Sequence, residues 1–303
     1  MVNEIVVRES QPIELNDLLR KNAIDPEKVL VLRHRPPEPE LNKVLPWLAA
    51  EKPDMFNAYQ QTQTEKVEKA MTGSDYVASF IGHQPGKAVF IALYEIRGSK
   101  SLTFEEFWKV PAYVEMKKKF GMKGLTEKSG RASILWFDLV VTEICASWKG
   151  KLVMGWPPPE ISWWRRAHKN TFPIFAILDE SILVPRLEWN RIVFTWDELS
   201  VLPMRWQSAL SQWRGIYYIF DASDRKGYVG SAYGDDNLLG RWQSYAASGH
   251  GGNALLRNRA PENFRFSILQ TLPPDMEAND VIQLESSWKL RLHTHSPDGL
   301  NEN

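Results

Sequence analysis

Five side chains in the last third of this chain have the types and spacing to handle an anion. Tyr217 closes the tripeptide Gly215-Ile216-Tyr217, and after ten intervening residues Tyr228 opens Tyr228-Val229-Gly230. Arg241 and Tyr245 are an i,i+4 pair on one face of a helix, so both can point at one phosphate. Arginine brings a planar fork of donors that matches phosphate oxygens. Glu285 has Val281, Ile282 and Trp288 around it at helical spacing. That places a carboxylate near the buried side of a helix, where it needs a partner or a metal ion. Taken singly, each residue has an ordinary explanation, such as a strand tyrosine packing against its cross-strand neighbours. The two tripeptides in register are another matter: they arise by chance in on the order of one chain in ten thousand at average residue usage.

The elements that must position these residues are legible around them. Gly215–Ala222 and Gly227–Ser231 read as two strands joined by the turn Asp224-Arg225-Lys226-Gly227. Leu238–Ala247 reads as a helix carrying Arg241 and Tyr245, with Ala254–Arg259 as a further short helix. Phe264–Leu272 is a strand, and Asp275–His293 is a helix with Asp275 as N-cap behind Pro273-Pro274. The expected order is therefore β-β-α-α-β-α in a unit spanning 206–303. Between its helices runs Ser248-Gly249-His250-Gly251-Gly252-Asn253, a flexible loop that can bring His250 to a phosphate.

In this arrangement, residues of about 213–303 resemble the GIY-YIG nuclease superfamily. The resemblance implies that Tyr217 and Tyr228 face each other across the hairpin, that Arg241 and Tyr245 follow on the first helix, and that Glu285 is the single metal-holding carboxylate. Asn301, in Gly299-Leu300-Asn301, matches the asparagine with which the family often ends. The implied catalytic set is Tyr217, Tyr228, Arg241, Tyr245, His250, Glu285 and Asn301, and the implied activity is metal-dependent hydrolysis of phosphodiester bonds. A lone carboxylate suits Mg²⁺, with Mn²⁺ as a substitute, because Mg²⁺ keeps most of its waters and takes substrate oxygens directly. Arg241 would stabilise charge developing on the phosphate. A tyrosine beside an arginine or a metal-bound water can have its phenol pKa lowered enough to act as general base. By resemblance that role falls to Tyr217, with Tyr228 positioning water or phosphate and Tyr245 as the alternative proton acceptor.

Composition sets the frame. The 303 residues carry 37 Lys plus Arg against 37 Asp plus Glu, so the net charge is zero. This excludes a histone-like protein that holds nucleic acid by bulk charge, but not a nuclease with local positive charge. Cys145 is the only cysteine, which rules out an internal disulfide and a multi-cysteine zinc site. No apolar run nears the ~20 residues of a membrane span. Asn3, Glu4 and Arg8 interrupt the apolar stretch at the start, so no leader and a cytoplasmic location are expected.

Residues 1–205 read as a separate targeting unit. Leu41–Ala50 and Pro53–Met71 are expected helices. The strands Tyr76–Gly82 and Lys87–Arg97 meet at His83-Gln84-Pro85-Gly86, and Ala132–Ile144, Lys151–Trp156, Phe172–Leu178 and Arg191–Trp196 add more. Short strands at close spacing with interspersed helices predict a small closed β-barrel-like domain within an α+β protein. The run Ala88-Val89-Phe90-Ile91-Ala92-Leu93-Tyr94-Glu95-Ile96 resembles PUA-like domains, whose relatives bind modified bases. Such a domain would receive a flipped base in an aromatic pocket. The chain holds 13 tryptophans, most of which core packing accounts for. Trp163-Trp164-Arg165-Arg166 interleaves aromatic and basic side chains, a combination suited to a stacked base and a phosphate backbone. The leading reading is a DNA endonuclease of the restriction type, directed at modified-base DNA, with a homodimer for double-strand cleavage. The alternatives are a repair or structure-specific nuclease, or a non-catalytic nucleic-acid-binding protein.

Overall fold

The computed structural model describes residues 12–126, 130–234 and 237–302. Asn3, Glu4 and Arg8 lie outside them. The chain divides into two units between Leu183 and Val184, earlier than the boundary expected between 205 and 206.

In the first unit, β1 (Val29–His34) is buried along its whole length. Its apolar run Val29–Leu32 suits a strand covered on both faces. Val29 and Val31 pack with Leu15 and Leu19 of α1 (Leu15–Lys21) and with Ala78, Phe80 and Phe90 in one core. His34 alternates to the other face, against Phe56 and Tyr59 of α3 (Pro53–Gln61). β1 pairs in parallel with β2 (Tyr76–Gly82). A parallel pair requires a long crossover, here α2 (Pro39–Glu51), α3 and α4 (Glu65–Thr72). The expected single helix Pro53–Met71 breaks at Thr62, whose backbone bridges to Trp136, and restarts behind Thr64 as N-cap.

β3 (Lys87–Thr103) runs past the expected end at Arg97. Its second half pairs with β4 (Ser133–Val141), and its first half with β2 and β5 (Leu152–Gly155). Beyond α5 (Phe104–Phe107) and α6 (Pro111–Phe120) come β6 (Trp164–Arg166), antiparallel to β1, and β7 (Ile174–Ile177), antiparallel to β5. Among the described residues this sheet has seven strands in the order β6-β1-β2-β3-β5-β7, with β4 beside β3. Its end strands β6 and β7 are not paired in that order, so strand pairing does not close the expected barrel. Instead the segment entering α1 pairs beside the start of β7: Leu15 N–H donates to Phe172 O and Ile174 N–H to Ile13 O, at 3.0 and 2.8 Å.

The second unit holds a four-stranded sheet, among the described residues, in the order β10-β9-β11-β8. β8 (Val193–Thr195) was expected in the first unit. It pairs with β11 (Phe264–Leu272), which is why the boundary moves. α7 (Trp196–Leu199) and α8 (Met204–Gln212) lead into the hairpin of β9 (Arg214–Asp221) and β10 (Lys226–Ala232). The connecting turn places Arg225 at φ 62° and is fastened by Asp221, which accepts from Ser223 N–H and from Arg259. α9 (Asn237–Ser248) follows. The expected helix at 254–259 is turns instead, because the Asn253 side chain accepts from Leu255 and Leu256 N–H and bends the backbone locally. The observed order is thus β-β-α-β-α. α10 (Ala278–Arg291) starts later than expected, with Glu277 rather than Asp275 as N-cap.

Phe194, Trp206, Trp242 and Phe266 stack beneath α9 on one face of this sheet. Ile216, Val229 and Leu272 meet Val281 of α10 on the other. No helix among the described residues is long and apolar enough to cross a membrane.

Candidate active site

Strand alternation decides which side chains of the hairpin meet. Tyr217 pairs with Gly230, and Tyr228 with Ile219. The two tyrosines are therefore diagonal neighbours on one face, not directly opposed as expected, with ring centroids 6.3 Å apart. Glycine at 230 is required here: a Cβ on it would lie 2.4 Å from Tyr217 Oη. Tyr245 comes down from α9 and completes a triangle, 6.2 Å from Tyr217 and 6.3 Å from Tyr228. The Tyr217 and Tyr245 hydroxyls share a hydrogen bond of 3.2 Å. Gly251, at φ +53°, lies flat against the Tyr245 ring, where a Cβ would come within 2.6 Å.

Arg241, one helical turn before Tyr245, is exposed, and its guanidinium carbon lies 5.9 Å from the Tyr245 ring centre. It is also paired with the Tyr217 phenol, which strengthens its hold on its proton. The phenols behave opposite to expectation. Burial pushes the Tyr217 phenol well above its ordinary value; Tyr228 adds to the rise, and Arg241 pulls the other way without reversing it. Burial and the neighbouring tyrosines raise Tyr245 further. In this arrangement both are neutral hydrogen-bonding groups at neutral pH.

Glu285 sits on the other side of β10. Its Oε2 accepts from Ser231 Oγ, and Ser231 alternates with Gly230 to the face that α10 covers. Lys289 Nζ lies 2.8 Å from Glu285 Oε1. Because β10 is the edge strand, the tyrosine–arginine cluster and the carboxylate flank the rim of the sheet from opposite faces. Ser231 and Lys289 were not anticipated. The signals were present, however: Ser231 follows Tyr228-Val229-Gly230 directly, and Lys289 is i+4 from Glu285.

Among the described residues no group of three or more His, Cys, Asp or Glu could hold a metal ion. A carboxylate offers about four lone-pair positions, of which Ser231 and Lys289 engage one each. The donor set fits a hard divalent cation held by one carboxylate with water completing its shell. It does not fit zinc, which takes three or four protein ligands.

Asn301 does not join the tyrosines. Its side chain accepts from Val229 N–H at 2.9 Å and donates to Val229 O at 2.8 Å, pinning the free edge of β10. His250 stays in its glycine-rich loop, where Nδ1 accepts from Gly252 N–H at 3.0 Å.

In the first unit a cavity of about 640 Å³ opens among Tyr59, Phe107, Ile134 and Trp163, with Glu65, Lys66 and Arg131 supplying charge. Trp164 lies under Lys66, whose ammonium is 5.9 Å from the ring centre. Arg165 differs from the expected phosphate contact: its Nη2 donates to Pro157 O and Pro159 O, so it braces the preceding loop. Arg166 is half-buried in β6, opposite Leu30. Trp156 is a core residue, its ring packed on Phe172 and its Nε1 donating to Ser162 O.

Comparison with known proteins bears on the second unit. Residues 214–297 match the family model of the GIY-YIG catalytic domain. Two solved structures of the catalytic domain of the intron, or homing, endonuclease I-TevI, one of them a point mutant, are similar at 26% identity each. Each match covers 30% of this chain and 95% or 98% of the other, with TM-scores of 0.26 and 0.25. No curated protein matches the chain. The second unit thus carries a GIY-YIG catalytic domain, and with it the grounds for a nuclease activity.

Proposed function

We propose that this chain is a divalent-metal-dependent DNA endonuclease whose first unit selects the DNA that the second unit cuts. The observation that carries the reading is the pairing of Tyr217, Tyr228, Tyr245 and Arg241 on one face of the β10 edge with Glu285 on the other. A phosphodiester laid across that edge meets a guanidinium fork and the half-buried Tyr228 on one side and a carboxylate on the other. Glu285 would hold Mg²⁺ or Mn²⁺, and the ion would supply positive charge to the phosphate and an acidified water. Arg241 binds the nonbridging oxygens and stabilises charge developing there. Tyr217 and Tyr245, neutral, buried and bonded to one another, form the floor against which Arg241 and Tyr228 are held. This assigns Tyr217 a positioning role, since its burial disfavours the phenolate that a general base would need.

The aromatic cavity beside Trp163 supports a restriction role against DNA carrying modified bases. Its volume accommodates an extruded nucleotide, and Tyr59 and Trp163 offer faces for stacking. In this reading the first unit is a PUA-like base reader, and cleavage of both strands calls for a second copy. The other reading is a repair or structure-specific nuclease. It is favoured by the comparisons, whose matches describe a catalytic domain and carry no sign of restriction. The deciding experiment incubates the full chain and Mg²⁺ with unmodified plasmid, phage DNA bearing modified cytosines, and branched oligonucleotides. Preferential cutting of the modified DNA, lost in Trp163→Ala, supports restriction, whereas cutting confined to branched substrates supports the second reading. Failure to cut any of the three with Mg²⁺ or Mn²⁺ refutes the nuclease assignment.

A further inference from the structure

The carboxylate of Glu285 is engaged from two directions, by Ser231 at Oε2 and by the Lys289 ammonium at Oε1. Glu–Lys pairs four residues apart are common on helix surfaces, where they matter little. This one is set apart by burial. Its lysine and glutamate side chains keep 15% and 18% of their exposure, against 25% and 41% in the equivalent Glu115–Lys119 pair of α6. A partly buried ion pair works in a lower dielectric and is poorly screened by salt. Lys289 therefore lays a single positive charge on the oxygen that a divalent cation would also seek.

We propose that Lys289 is an internal counterion that a divalent cation must displace from Glu285, so that it sets the metal concentration at which the site loads. The inference rests on reading Glu285 as the metal's carboxylate. The exchange is physically open to this side chain. A lysine stem is flexible and its ammonium gains hydration when it leaves, while Ser231 keeps the carboxylate oriented throughout. Arg291, two residues further on, is held elsewhere, with its guanidinium carbon 4.2 Å from the Trp288 ring centre. Until the metal arrives, Lys289 neutralises a carboxylate that would otherwise be buried unpaired.

The test titrates Mn²⁺ alone into the full chain and follows free Mn²⁺ by electron paramagnetic resonance. Removing a like charge beside a dication at a partly exposed site should tighten binding roughly tenfold or more in Lys289→Gln. Lys289→Arg, which keeps the charge, should bind no tighter than wild type, and Glu285→Gln should abolish binding. Unchanged or weaker binding in folded Lys289→Gln, with binding still lost in Glu285→Gln, overturns the role of Lys289 alone. Wild-type binding in Glu285→Gln overturns the reading of Glu285 itself. A second measurement uses only the wild-type chain: saturation with Mn²⁺ should make Lys289 react several-fold faster with an amine acylating reagent, read by mass spectrometry. A Lys289 reactivity indifferent to Mn²⁺ would overturn the proposal, whatever the variants do.

Discussion

Gly230→Ala tests the central geometric claim, that the second tripeptide ends in glycine because the Tyr217 ring occupies the space above it. The added methyl would lie 2.4 Å from Tyr217 Oη and 2.5 Å from Cζ. Ordinary carbon contacts begin near 3.5 Å, so the ring must retreat by about 1 Å. Tyr217 is fully buried and bonded to Tyr245, and it has little room to retreat. Overpacking of this kind costs ~1–3 kcal/mol of stability. A misplacement of ~1 Å near reacting groups costs on the order of 10²-fold in rate. The assay compares cleavage by the full-length wild type and variant at a temperature where circular dichroism shows both folded. Gly98→Ala, where a Cβ meets nothing within 4 Å, serves as the control. Cleavage by Gly230→Ala within about threefold of wild type would mean that Tyr217 need not stand where it does.

Arg241→Lys keeps a positive charge but loses the planar fork, so turnover should fall by ~10²-fold or more; steady-state kinetics showing an unaltered kcat would make Arg241 peripheral. His34 gives a pH prediction for the first unit. Burial holds its imidazole down at about 4 in the fold, against 6.5 ordinarily, so the unfolded chain binds the extra proton between those values and stability is lost as pH falls through that window, by about 3 kcal/mol when complete. Urea unfolding of the full chain at pH 7.5 and 4.5 measures the loss, and an equal loss in His34→Gln would refute the assignment to His34.

How much of this was readable in advance depended on whether a residue's neighbours lie close in sequence. The hairpin, the i,i+4 pair Arg241 and Tyr245, and the helix bearing Glu285 rest on local periodicity, and they form as expected. The diagonal offset of Tyr217 and Tyr228 depends on turn register, set by Asp221, Ser223 and Arg225, which residue types alone leave open. β8 reads as one more strand of its neighbourhood, and only its pairing with β11 moves it to the second unit. The residues of β6 read as a nucleic-acid contact because Trp163-Trp164-Arg165-Arg166 interleaves aromatic and basic side chains. The strand's pairing with β1 lies over a hundred residues away. The phenol shifts were misjudged for a similar reason. Proximity of Arg241 to Tyr217 follows from spacing, whereas the burial that outweighs it comes from the assembled helix and sheet.

The edge position of β10 explains why a residue outside the tyrosine cluster can still matter to it. An edge strand presents unpaired N–H and C=O groups and is free to shift or to pair with another chain. Here Asn301 satisfies both backbone groups of Val229, and Leu300 N–H donates to Gly227 O at 2.9 Å. Those two contacts fix the same strand that offers Tyr228 and Gly230 to one face and Ser231 to the other. The relative placement of the tyrosine cluster and Glu285 therefore depends on a single strand being held in one register. Asn301 holds it with an amide that is 3% exposed and has its oxygen and nitrogen both engaged. An asparagine committed in this way has no donor aimed at a phosphate. In the proposed nuclease its contribution would run through the backbone of β10 and bear on both halves of the site together.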